Sequence, residues 1–498
     1  MTVEADRVCL TESLGAAVAL AGARPFVSMG TATLTYREFN SAVIACSTQL
    51  SALGLQAGER VLIVNSAAMQ TAILSFACAK LKCVFVIVDP GTSSATMDYI
   101  LHDCCPALIM GDMAADPRYQ AVNVHPLGTT GWLDTRRDSP YVQKGTVCIL
   151  YTSGSTGQPK GVAISNSGLQ FVLAAIQQRL SYLDDDVIAC YLPLSFDYGL
   201  YQIFLACQAR AHVVLRSPAP TSALLVRAIK QDRITVLPLV PSLWEVMVYQ
   251  FRIRPHVCAG LALRSITSTG QTLQTQLIDE MRGFLPHVEV FPMYGLTECK
   301  RVSILLPEEY LSKKGSVGRP LSGTHVWVCD EHGASLIPGE IGELVVAGDH
   351  VASYWTSGKT VNDDDVFRTV DSQQRLHTGD YGYIDTDGFI FLVGRRDMLI
   401  KRRAYRISLS EIESSLYACP FIKAAAVMWD AEKDMLVGVV VLHPLTDKRV
   451  EHIHEYLSGV LEAHKLPDQY IALESFPLTT NGKVNRTALK ELWLTRTQ

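Results

Sequence analysis

At 498 residues, 48% of them hydrophobic, the chain can bury large cores and should form two or more domains. A formal net charge of −5, with Lys and Arg scattered among the acids, argues against a nucleic-acid partner or a basic membrane-binding face. Lys80 and Lys82 interrupt the best candidate for a membrane span, at 72–88, and residues 1–10 lack the basic-then-apolar order of a signal peptide, so a cytoplasmic protein is expected.

Residues 34–39, Leu-Thr-Tyr-Arg-Glu-Phe, lead into an amphipathic stretch with Val43, Ile44, Leu50 and Leu53 as its apolar positions and Gly54 as its stop. A strand is predicted at 60–64, a helix at 69–79 and a strand at 84–88, ended by Asp89-Pro90-Gly91. This alternation predicts an α/β fold with mainly parallel sheets flanked by helices. Thirteen cysteines without CxxC spacing read as reduced core residues.

A predicted strand at 147–150 runs into Tyr151, Thr152, Ser153, Gly154, Ser155, Thr156, Gly157, Gln158, Pro159 and Lys160. Glycines let backbone N–H groups approach an anion, hydroxyls donate further hydrogen bonds and Lys160 adds positive charge, so the stretch suits a phosphate. Gln158 and Pro159 rule out a P-loop, and an ordinary Ser/Gly surface loop is the plain alternative. Further on, Asp197 stands between Phe196 and Tyr198, too apolar a setting for an unpaired carboxylate. It either caps a helix beginning near Leu200 or meets a cationic ligand. Residues 290–299 end a strand at Tyr294-Gly295 and project Thr297 and Glu298: a ring for adenine, a hydroxyl for phosphate and a carboxylate for magnesium.

The stretch 342–348 reads as a strand with its turn, and 385–388 as a turn between strands. Asp380, after a tight Gly turn, could hold a ribose or cap that turn. From Asp397 the chain grows more charged, with Lys401, Arg402, Arg403 and Arg406. A small mixed α+β unit follows, with helices at 410–417 and 450–461 and strands at 424–428 and 436–442. Near its end Lys483 follows Asn481-Gly482 on a tight turn, where a solvated side chain is the plain expectation.

Taken in order over roughly 34–490, these stretches resemble the motifs of the adenylate-forming superfamily, which includes acyl-CoA synthetases, nonribosomal peptide adenylation domains and luciferases. The resemblance implies a large N-terminal AMP-binding and substrate domain at 1–396 and a mobile C-terminal domain at 397–498, hinged at Asp397. It implies nucleotide contacts from Thr152 through Gly157, Lys160, Tyr294, Gly295, Asp380 and Arg395. Thr297, magnesium-bound Glu298 and Lys483 become catalytic, Lys483 in the adenylation step. ATP and Mg2+ are the implied cofactors, with a phosphopantetheine thiol, on a carrier protein or as CoA, as acceptor. Phe196-Asp197 matches amino-acid adenylation domains, whose Asp pairs with the substrate ammonium. By motif, Tyr198, Tyr201, Thr267, Thr269, Met293, Arg301 and Val302 complete the pocket.

The expected activity is therefore ATP-dependent adenylation of a small amino acid, L-proline first, and its transfer to a separate carrier protein by a stand-alone enzyme similar to prolyl-carrier ligases. Arg301 is expected to pair with Asp197 or Glu298, leaving an uncharged pocket, or to bind a second substrate carboxylate. Ala404 stands where the family has Gly, which puts a methyl at the thiol tunnel. The alternatives are a CoA ligase for a small acid and an inactive adenylate-binding protein.

Overall fold

The structure is a computed structural model that describes residues 9–111, 120–123, 129–134, 145–152, 159–216, 224–271, 273–356, 359–361, 366–370, 373–402, 405–431, 433–442, 451–477 and 484–497. Ser153, Gly154, Ser155, Thr156, Gly157, Ala404 and Lys483 lie outside the described residues.

Two nine-stranded sheets and a five-stranded sheet make up the large N-terminal part. At the centre of one nine-stranded sheet, Pro25–Met29, His212–Leu215, Val187–Cys190, Val236–Leu239, Ser265–Ser268 and Glu289–Tyr294 run parallel. The other has Thr146–Thr152, Val84–Val88, Arg60–Val64 and Leu108–Met110 as its parallel centre. Its strands Arg60–Val64 and Val84–Val88 are buried at every position, as strands covered on both faces must be. Antiparallel strands flank both centres, and the five-stranded sheet is antiparallel throughout.

Helix Tyr36–Ala52 starts on a capping box: Thr35 accepts from the Glu38 N–H, and the Glu38 carboxylate accepts from the Thr35 N–H. It buries Tyr36, Phe39, Val43 and Leu50, and Phe26, Tyr36, Phe39, Phe76 and Phe204 continue as a chain of ring contacts through the core. Ile44, expected on the inner side, is exposed, because it lies about 100° around the helix from Val43 and beyond the buried stripe. Among the described residues the cysteines form no disulfide and most are buried. No helix among them is long and apolar enough to cross a membrane.

The C-terminal part packs helices Leu409–Tyr417, Glu451–Ser458 and Arg486–Thr497 with strands Ile422–Asp430, Met435–Leu442 and Gln469–Ala472. It touches the large part where Ser408 Oγ donates to the Val393 carbonyl (2.8 Å) and Gln274 Nε2 donates to Ser414 Oγ (3.0 Å). A cavity of about 190 Å3 lies at this junction, between Glu245, Tyr249 and Gln274 on one side and Tyr417 and Lys423 on the other.

Candidate active site

Strands Thr146–Thr152 and Lys160–Ser165 pair antiparallel with Thr152 opposite Lys160, so the Ser/Gly stretch links two adjacent strands. Its base is pinned by Tyr151, whose hydroxyl donates to Asp103 Oδ2 (2.5 Å), while the Trp355 indole donates to the Asp103 carbonyl (3.2 Å). Lys160 Nζ lies 4.8 Å from the centre of the Tyr354 ring, and the Tyr354 hydroxyl donates to Glu298 Oε1 (3.2 Å). Tyr354 thus brings Lys160 and Glu298 together. The sequence reading missed it.

Tyr294 ends strand Glu289–Tyr294 and donates to Asp380 Oδ2 at 2.6 Å. Burial and the neighbouring Asp380 carboxylate push the Tyr294 phenol far above its usual pKa, so it stays a donor. Arg395 faces Asp380 across the strand pair, with Nε 3.8 Å from Oδ1. Gly379 takes a left-handed φ of +68°, and its N–H is held by Glu343 Oε1 (3.0 Å), whose other oxygen meets His377 Nδ1 (3.2 Å). Cys329 lies beside this pair, but both Glu343 oxygens already serve the turn that presents Asp380.

Thr297 and Glu298 sit half-buried in the turn after Tyr294. That turn closes tightly: a Cβ on Gly295 would stand 2.1 Å from the Lys300 carbonyl oxygen, so only glycine lets the chain fold back there. Lys300 itself adopts a left-handed φ of +59°, uncommon for a non-glycine residue. This backbone delivers Lys300 and Arg301 to the interior, where both are only 7% exposed.

There a cavity of about 20 Å3 is lined by Ile176, Leu180, Asp197, Tyr198, Tyr201, Gln202, Leu205, Met293, Lys300 and Arg301. Helix Asp197–Ala209 begins at Asp197 itself, three residues earlier than expected, and its N-cap, Phe196, makes no side-chain cap bond. The cation nearest the Asp197 carboxylate is Lys300 Nζ, at 3.7 Å. Arg301 pairs with neither Asp197 nor Glu298, contrary to the pairing expected from the sequence. It donates to Thr269 Oγ1 (2.6 Å), and its guanidinium lies 5.5 Å from the centre of the Tyr198 ring. Burial pushes the Arg301 pKa down, against the pull of Tyr198 and Asp197. The Tyr198 and Thr267 hydroxyls are 2.6 Å apart.

Of the expected pocket residues, Asp197, Tyr198, Tyr201, Met293 and Arg301 line this cavity, with Thr267 and Thr269 behind them. Phe196 makes an edge contact with Tyr198, and Val302 packs instead with Tyr294, Cys299 and Leu344. Lys300 was missed, although two adjacent cations inside the otherwise apolar run 299–306 were a signal for it.

Residues 15–355 match the AMP-binding enzyme family and residues 411–483 its C-terminal domain. Gramicidin S synthase 2 of Aneurinibacillus migulanus is 28% identical over 476 residues, which cover 92% of this chain and 10% of that protein, so the chain spans about a tenth of that relative's length. Zwittermicin A synthase ZmaJ of Bacillus cereus is 25% identical, over 92% of this chain and 90% of its own. The fold also matches the solved O-succinylbenzoate coenzyme A synthetase of Bacillus subtilis with ATP and magnesium ion (TM-score 0.81, 24% identity, 96% of this chain and 99% of that one). The chain therefore belongs to the AMP-binding enzyme family, with that family's large domain and its C-terminal domain.

Proposed function

We propose that this AMP-binding enzyme is an AMP-forming ligase that activates a small amino acid with ATP and passes the aminoacyl group to the phosphopantetheine thiol of a separate carrier protein. In the first step a substrate carboxylate oxygen attacks the α-phosphorus, the bond to the β-phosphate oxygen breaks and pyrophosphate leaves. In the second the thiol sulfur attacks the acyl carbon, its proton is lost, and the bond to AMP breaks. The observation that carries the reading is adjacency. Met293 lines the acid cavity, and the next residue, Tyr294, is bonded to Asp380 on the ribose side.

Asp380 and Arg395 hold the ribose, the Ser/Gly stretch at 152–157 with Lys160 and Thr297 holds the phosphates, and Lys483 adds charge in the first step. Glu298 has one oxygen on Tyr354 and another for a hard cation. Glu298 would hold a magnesium ion there, whose charge would offset that of the phosphates. Asp197 takes the substrate ammonium. L-proline remains the first neutral candidate, being compact.

The boundary stays at Asp397, in the 3-10 turn Arg396–Met398. Pro fits a 3-10 turn and restricts rotation away from it, so Asp397→Pro should spare one half-reaction and depress the other. Normal rates in both would misplace the hinge.

One observation favours a second reading. Lys300 already offsets the charge of Asp197, so a CoA ligase for an acid without an amine needs no further cation there. ATP–pyrophosphate exchange over amino acids and short acids, followed by thioester assays with carrier protein and with CoA, tests both. Exchange with acids alone and thioester on free CoA would replace the first reading with the second. Binding of ATP with no exchange on any acid would leave an inactive adenylate binder.

A further inference from the structure

Within the cavity two cations face one carboxylate. Lys300 Nζ and the Asp197 carboxylate form an ion pair at 3.7 Å. Among the described residues Lys300 Nζ is nonetheless without a hydrogen-bond partner, and so is Arg301 Nε. Among the described residues the Thr269 hydroxyl and the Tyr198 ring stand in for the hydration of Arg301. Buried charges are ordinarily paired and buried donors bonded. Asp197 can offset only one of the two charges and stands against Lys300, so among the described residues Arg301 has no carboxylate partner and one positive charge is left over. The left-handed Lys300 backbone and the Gly295 close approach are the means by which the chain holds both cations inward.

We propose that Lys300 and Arg301 form an anion subsite, and that the substrate carries a second carboxylate beyond the one that is activated. The proposal rests on the adenylation reading above and names its substrate class: an acidic amino acid, or the dicarboxylic acid that lacks the amine. A carboxylate supplies the missing negative charge and accepts from Lys300 Nζ and Arg301 Nε together. The cavity's size agrees. About 20 Å3 is close to the space one water needs, which suits a small polar head more than a pyrrolidine ring. The two sources differ only at Asp197, which an amine would engage and a plain diacid would leave to Lys300.

The test is ATP–pyrophosphate exchange by the full chain with aspartate, glutamate, malonate, succinate and glutarate, against proline, alanine and propionate. Exchange should be fastest with an acid bearing a second carboxylate. Lys300→Met and Arg301→Met should each raise the KM for that acid roughly 10²-fold while leaving the KM for ATP within twofold. Lys300→Arg should retain most of the affinity. Asp197→Asn separates the sources, since it raises the KM of an acidic amino acid but not that of the matching dicarboxylic acid. If Lys300→Met fails to fold with Asp197 uncompensated, Asp197→Asn combined with Lys300→Met removes both charges, and succinate or glutarate is the probe. Faster exchange with proline or propionate than with every diacid overturns the proposal, as does an unchanged diacid KM in Lys300→Met. Thermal stabilisation by the same acids with a nonhydrolysable ATP analogue separates the two readings. Stabilisation by a diacid that Lys300→Met abolishes, without exchange, keeps the subsite and sinks adenylation. No stabilisation by any diacid sinks the subsite.

Discussion

The carboxylates on the proposed nucleotide side and the cations in the proposed acid cavity handle burial in opposite ways. Asp380 receives a hydrogen bond from Tyr294 and faces Arg395, while Glu298 receives one from Tyr354. Even the turn before Asp380 is held, through Glu343. In the cavity, Lys300 and Arg301 are buried like Asp380 but, among the described residues, keep donors without acceptors. The contrast teaches what each side awaits. A satisfied cluster is preorganised and needs only to be contacted, whereas an unsatisfied one is completed by its ligand.

The largest expected effect tests whether the nucleotide side is sufficient for chemistry. Lys483 belongs to the small domain and would add a charge that neither cluster supplies. Lys483→Ala should slow pyrophosphate exchange by about 10²–10³ while transfer from a supplied acyl-adenylate to thiol persists. Equal damage to both half-reactions would refute an adenylation-only role for Lys483.

A second test concerns a buried base near the nucleotide side. His350 precedes the segment whose Ala352 N–H donates to the Glu298 carbonyl, and its ring stacks on Phe171 (4.9 Å). Burial pushes its imidazole down to about 4, so His350 stays neutral in the fold. The unfolded chain binds that proton near pH 6.5, the folded chain only near 4. Stability from this source is therefore complete above pH 6.5 and declines as the pH falls towards 4, by at most about 3 kcal/mol. His350→Phe keeps a ring for the stack and removes the titration. Urea midpoints at pH 7.5 and 4.5 should fall less in the variant than in the wild type. Equal falls would mean that His350 is not a buried neutral base.

The order of elements was legible because it depends on local pattern. The strand at 84–88 and the turn at 385–388 were read directly, and the helix expected at 69–79 is observed as Ala68–Lys80. Helix Asp197–Ala209 was placed late because Gly199 lies in its first turn. A Cβ there would come within 2.5 Å of the Pro193 carbonyl, so close packing outweighs helix propensity. In the candidate site, single residues stood out as charges in apolar runs, but their partners did not. Asp197 meets Lys300, and Glu298 meets Tyr354, only because the sheets bring distant segments together. The pairing of Arg301 with Asp197 or Glu298 was misjudged for the same reason: its observed partners, Thr269 and Tyr198, come from a different loop and helix.

The smallest expected effect tests the independence of the two sides. Tyr294 and Met293 are neighbours on one strand, one in each region, so a change at Tyr294 could reach the acid cavity through the backbone. Tyr294→Phe removes one hydroxyl and keeps the ring in its apolar cluster with Cys299 and Val302. It takes a 2.6 Å hydrogen bond from a buried Asp380, which keeps Arg395 at 3.8 Å and its own N–H on Thr378 Oγ1 (3.0 Å). Losing one donor to a buried carboxylate costs about 1–3 kcal/mol, and Arg395 limits the loss to the lower half of that range. The KM for ATP should rise about tenfold, since the ribose would meet a carboxylate no longer fixed in position. The KM for the acid should stay within twofold, because the cavity cations are placed by Gly295 and the turn behind it and not by the Tyr294 hydroxyl. Exchange rates measured against both substrates decide the matter. A matching rise in the KM for the acid would show that the two regions share one network and that their contrast in burial does not mark a division of labour.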